Sequence, residues 1–177
     1  MSHAPESPLR GSVAASLPLL YSDPMSEHRV TISWQRGEAD FDYKSYSRDH
    51  TWRFAGGREV AASAAEAYQG NPALVDPEAA FVASLGSCHM LTFLAVAAHR
   101  GLTVDAYEDD AVGYLQKNDK GKLAVTRVVL RPRIVFGGEA PAPAVLAQLH
   151  AQGPPRVLHR QLGADAGAGG EKVMSDQ

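Results

Sequence analysis

Cysteine is nearly absent: the 177 residues contain one, Cys88. An intrachain disulfide framework is therefore excluded, and a lone thiol fits a reducing, cytoplasmic setting. Strong charge of either sign is also lacking. The net charge of −3 gives no reason to expect nucleic acid or an anionic membrane as partner. No phosphate-binding loop or dinucleotide fingerprint occurs, so no nucleotide cofactor is expected. The histidines show no metal-ligand spacing, and His89, next to Cys88, would point about 100° away from it on a helix. No metal is expected either. A serine triad has no support, and the chain has no internal repeat.

What remains is an ordinary globular composition, 45% hydrophobic and 21% charged, in a length suited to one domain with a real core. The stretch that organises it runs from Asp76 to Gly101. Asp76 suits an N-cap, Pro77 the first helical position and Glu78 the positive end of the dipole. Arg100 and Gly101 supply the stop. The residues between are apolar or small on every side, which predicts a buried helix. Its length requires a membrane span to be weighed. Ser84, Ser87, Cys88, His89, Thr92 and His99 interrupt it and Glu78 opens it, so a buried core helix is expected and no membrane.

Residues 1–24, with Pro5, Pro8, Gly11, Pro18 and Pro24, read as a disordered N-terminal extension. Regular patterning begins after Met25, a second candidate start, so residues 25–152 are expected to form the domain. His28–Trp34, Phe41–Tyr46, His50–Phe54 and Arg58–Ser63 alternate as an antiparallel meander, with Gly56-Gly57 as a turn. Val104–Leu115 and Leu123–Phe136 are expected as two strands joined by a charged hairpin turn. Pro141–Gln152 is a second helix with Val145, Leu146 and Leu149 on one face. From Gly153 no period survives, and residues 153–177 read as an aberrant or disordered tail.

Cys88 itself is open to two readings, a small buried hydrophobe or a nucleophile. The residues around it sharpen the choice. Pro77-Glu78 running through small residues into Ser87-Cys88-His89-Met90-Leu91 resembles the OsmC/Ohr family, the osmotically inducible and organic hydroperoxide resistance proteins. Tyr46-Ser47-Arg48-Asp49-His50-Thr51-Trp52 resembles it too, as does Arg100-Gly101 with the strand into Tyr107 and Asp110. The resemblance implies an α+β fold, an antiparallel sheet wrapped around a long buried central helix in an intertwined homodimer. It implies a thiol peroxidase that reduces organic hydroperoxides in oxidative and osmotic stress defence, with a dithiol reductant as partner. Cys88 matches the peroxidatic cysteine, Arg48 the arginine that stabilises its thiolate, and Glu78 the carboxylate that holds the arginine. Apolar side chains of the helix with Trp52 or Phe54 would then favour alkyl peroxides.

Helix geometry adds that Glu78 and Cys88, ten residues apart, lie about 15 Å apart on a straight helix. They cannot meet within one chain, so the complete site is expected to draw on two. The alternatives are a redox-inactive dimer of this type that binds a small apolar ligand or a protein, and a structural dimer module in which Cys88 only packs.

The family pattern carries a second, resolving cysteine after the second helix, in a segment like A-H-x-x-C-F-I-A-N-S-V, and this chain has none. Codons can be chosen for Gly153 to Asp165 that, read from the second base, encode A-H-H-E-C-F-I-A-N-S-V-R. A single inserted base near Gln152 is therefore expected to have replaced the last strand, leaving the resolving cysteine out of frame between Val157 and Leu158.

Overall fold

A computed structural model describes residues 26–38, 40–152 and the backbone of 172–175. Strand β1 (Val30–Ser33) pairs antiparallel with β2 (His50–Phe54), and β2 with β3 (Glu59–Ala62). The expected meander is present, with Gly56 and Gly57 both at positive φ in its tight turn. Phe41–Tyr46 is not one of its strands. Asp42 turns the chain there: its carbonyl accepts from the amides of Ser45 and Tyr46, and its carboxylate from that of Lys44. Local Asx bonding of this kind competes with a sheet ladder.

A 3₁₀ turn (Glu66–Tyr68) leads to helix α1 (Pro77–His99). The expected signals act as read. The Asp76 carboxylate accepts from Ala79 N at 2.8 Å, Pro77 occupies the first turn, and Gly101 stops the helix at φ 73°.

The two long strands expected after α1 are each divided. β4 (Val104–Asp109) and β5 (Val112–Lys117) come from the first, β6 (Leu123–Leu130) and β7 (Pro132–Phe136) from the second. β4 pairs with β7 and β5 with β6, so one hairpin is bent across its middle into two sheets. Pro132 explains the position of the bend. It has no N–H for the ladder, and the preceding amide, Arg131 N, donates instead to the Asp109 carboxylate at 2.6 Å. At the hairpin tip Asn118 Oδ1 accepts from the amides of Lys120 and Lys122.

Helix α2 (Pro143–Ala151) follows, with Leu149 and His150 buried and Val145 and Leu146 half-buried. The 1–24 extension lies outside the described residues, as does most of the 153–177 tail. Within that tail Lys172–Ser175 is not structureless: it forms β8, antiparallel to β6 from Arg127 to Leu130.

The fold is α+β, antiparallel sheets around one long helix. α1 packs against α2, β4, β5 and β6. One cluster joins Val82, Val128 and Leu130, and a second joins Phe93, Ala97, Ile134 and Leu149. Burial of α1 is thus confined to one face within a single chain: Val82, His89, Phe93 and Ala97 are covered. By length and composition α1 is long and apolar enough to cross a membrane, though Ser84, Ser87 and Thr92 interrupt it.

Candidate active site

Helix α1 runs without a break from Glu78 to Cys88, so the two side chains sit about 15 Å apart along its axis. Cys88 is exposed, with its carbonyl accepting from Thr92 Oγ1 at 2.9 Å. It belongs to a stripe of residues that are all open to solvent: Phe81, Ser84, Cys88, Leu91, Ala95 and Ala98. Their alternating steps of three and four are the a/d spacing of a helix–helix seam. Phe81 is 45% and Leu91 63% exposed, so the stripe is apolar as well as open.

Glu78 lies at the other end of the helix, in a cleft of about 510 Å³. Val82, Leu115 and Val125 form apolar wall, and Asp76, Glu78 and Asp109 bring carboxylates to it. Gly113 is also in the lining, because a Cβ there would come within 2.4 Å of Val82 Cγ2.

Arg48 is in the loop before β2 and is committed to that loop. Its guanidinium donates to the carbonyls of Tyr46 and Tyr43 and lies 3.9 Å over the Tyr46 ring. Tyr46 belongs to an aromatic group with Trp34 and Phe41, and Trp34 Nε1 donates to the Ser47 carbonyl at 2.7 Å. Arg48, Glu78 and Cys88 therefore stand on a loop, a cleft and an open helix face. Among the described residues no contact joins them within one chain.

Two arrangements were not legible in the sequence. On β4, Tyr107 and Asp109 share a side of the strand. The Tyr107 hydroxyl and Asp109 Oδ2 are buried without a hydrogen-bond partner of standard geometry among the described residues. Burial pushes the Tyr107 phenol well above its ordinary range, and the nearby Asp109 charge adds to this. Burial also raises the Asp109 carboxyl, against the lowering effect of the Arg131 amide. The second arrangement is a buried pair of histidines, His89 from α1 and His150 from α2. Neither shows a periodic signal, since both sit among apolar residues of their helices.

A structure of an OsmC-like protein of unknown function from Vibrio cholerae is 48% identical, with a TM-score of 0.68, over 72% of this chain and 86% of that one. The chain belongs to the OsmC family. The family of OsmC-like proteins matches residues 70–154, a span that contains Glu78 and Cys88 and ends where the tail begins. Two more distant structures share the fold. One is an OsmC-like protein from Mycoplasma pneumoniae, 13% identical over 71% of this chain and 79% of that one, TM-score 0.53. The other is an organic hydroperoxide resistance protein from Elizabethkingia anophelis, 12% identical over 73% and 81%, TM-score 0.53. No curated protein matches the chain.

Proposed function

We propose that this OsmC-family chain is a cytoplasmic, thiol-dependent peroxidase that reduces organic hydroperoxides and works as a homodimer. The observation that carries the reading is the position of Cys88, an accessible thiol at the middle of the helix that defines the domain. The Cys88 thiolate attacks the O–O bond of the hydroperoxide. One oxygen stays on sulfur as a sulfenic acid, and the other leaves as the alcohol once it has gained a proton. A dithiol then reduces the sulfenic acid: its first thiol forms a mixed disulfide and releases water, and its second displaces Cys88 as thiol.

Dimerisation is supported by what one chain leaves uncovered. The a/d-spaced stripe of α1 faces outward, and α1's principal partners do not include the β1–β3 sheet. That sheet exposes Val30, Ile32 and Phe54. Two copies can cover both surfaces at once. In this reading Glu78 and Arg48 complete a site around a Cys88 from across the interface, because α1 separates Glu78 from its own chain's Cys88. Trp52 and Phe54 on β2 are available to shield an alkyl group.

We propose that the segment from about Gln152 onward is an out-of-frame version of the last family strand. The family match ends at Pro154, beside the expected junction, and this supports the reading. Resequencing the DNA across this region decides it; codons that cannot yield the alternative segment would sink it.

The central experiment measures oxidation of Cys88 by cumene hydroperoxide and by hydrogen peroxide, read by mass spectrometry, in this chain and in one with the tail restored. Faster oxidation by the organic peroxide in both is the expected result, with dithiol turnover sustained in the restored chain and running down in this one as sulfenic acid with no resolving cysteine beside it overoxidises. A Cys88 that stays reduced in both would overturn the peroxidase reading. The apolar cleft at Glu78 would then favour the second reading, a redox-inactive dimer that binds a small apolar ligand or a protein.

A further inference from the structure

His89 and His150 are both buried, at 0% and 6% exposure, an unusual place for two ionisable rings. His89 Nε2 and His150 Nδ1 are 3.1 Å apart, while the ring centroids are 5.4 Å apart with planes inclined by 18°. The nitrogens therefore lie between the two centroids, and the rings meet edge to edge rather than face to face. This is the geometry of an in-plane N–H···N hydrogen bond. Phe93, one turn on from His89, holds His150 from the side at 4.8 Å between centroids.

Such a bond needs one donor and one acceptor nitrogen. The pair satisfies that when both rings are neutral, and still does when one of them carries an extra proton. With both rings protonated two N–H groups face each other, no acceptor remains between them, and two buried like charges repel. We propose that the His89–His150 pair is a proton-limited latch that positions the Cys88 turn of α1 against α2. It closes with no more than one extra proton and opens when the second is taken up. Its link to Cys88 rests on the functional reading above; the latch rests on the two rings alone.

Among the described residues the neighbouring elements supply few competing charges. On α1 the adjacent Cys88 belongs to the open stripe. At the end of the helix Arg100 donates to Gln148 Oε1 of α2 at 3.1 Å, a tie that does not titrate with the histidines. β4 brings Tyr107, whose ring packs on Phe93, and Asp109 beyond it. β6 and β7 bring Ile134 to the core that holds Phe93, and their cations are engaged elsewhere: Arg127 over the Tyr114 ring, Arg131 with the Asp110 carbonyl and Arg133 with Glu108 and Asp110. Asp109 is the only one of these with a resolved carboxyl shift, and that shift is upward, so its contribution to stability grows on acidification. The histidine pair acts in the opposite direction, so the two effects separate by sign.

The test uses the full chain at one fixed concentration. Urea midpoints are followed from neutral pH to about pH 5 in the wild type and the His89→Gln/His150→Asn double variant. Gln places an amide where Nε2 lies and Asn where Nδ1 lies, so a bond remains that does not titrate. Below about pH 6 the unfolded wild type takes up both histidine protons and the folded pair one fewer, so its folding constant should fall about tenfold per pH unit. The double variant should lack this fall, and iodoacetamide labelling of Cys88 in the wild type should depart from the variant's over the same range. Equal pH dependence in the two proteins overturns the latch. If the variant does not fold, nitrogen-15 imidazole spectra of the wild type decide: one shared N–H···N proton supports the proposal, and two independently titrating rings in the folded chain overturn it. A Cys88 inert to peroxide would remove the functional reading while leaving these readouts intact.

Discussion

Two glycines facing opposite demands show how much a single residue decides. Gly86 sits within α1, and a Cβ there would meet Leu130 Cδ2 at 3.8 Å and Ala111 Cβ at 3.9 Å, ordinary contacts. Gly86→Ala should therefore stabilise the fold by about 1 kcal/mol in denaturant titration, the helical propensity difference. Gly113→Ala should do the reverse, costing about 1–3 kcal/mol, because its Cβ collides with stiff, β-branched Val82. Asp109 gives a pH signature. Its carboxyl is raised in the folded chain, so its stabilising contribution is complete below the ordinary Asp value and is lost as pH rises through the raised one. Asp109→Asn retains an acceptor for the Arg131 amide and should raise stability at neutral pH, with the advantage disappearing in acid. Thermal unfolding of both proteins across that range checks the sign. None of these contacts was legible in the sequence, because each depends on which strand face meets α1.

At the scale of elements the sequence was more informative. The caps of α1 act where Asp76, Pro77 and Gly101 indicate, since capping depends on neighbouring residues alone. β2, β3 and α2 lie within their expected ranges, and β1 is shorter than its alternation suggests. The bend that separates β4 from β5 was missed because Asp110-Ala111 carries no breaker; only Pro132, on the opposite arm, marks it. The apolar pattern of α1 concealed a division of labour. Its inward face binds its own chain, and its outward stripe keeps seam spacing but is uncovered. Leu91→Glu should convert the proposed dimer to a monomer in sedimentation, weakening association by about 2 kcal/mol or more, with little loss of helix content. An unchanged sedimentation coefficient would place the interface elsewhere. Of the candidate site, the separation of Glu78 from Cys88 followed from helix spacing alone, whereas the placing of Arg48 on its own loop, tied to the Tyr43 and Tyr46 carbonyls, carries no sequence signal.

For the whole molecule, that separation can be tested by mixing. A Glu78→Ala chain and a Cys88→Ser chain should each be inactive alone. Refolded together, they should recover about a quarter of wild-type peroxidase activity, because random pairing makes half the dimers mixed and each mixed dimer has one complete site of two. No recovery would mean that Glu78 and Cys88 serve the same site from one chain, whereas a Glu78→Ala chain active on its own would mean that Glu78 is dispensable.

The open stripe on α1 has one more consequence, in reaction order. If a second copy covers that face, as proposed above, the last step of folding is bimolecular, and the native state is then a function of abundance as well as sequence. The midpoint of thermal unfolding should climb with protein concentration, and a dilute sample should loosen at temperatures a concentrated one survives. In a cell such a dimer would set a floor: newly made chains below it would stay open to proteolysis, and those above it would protect one another.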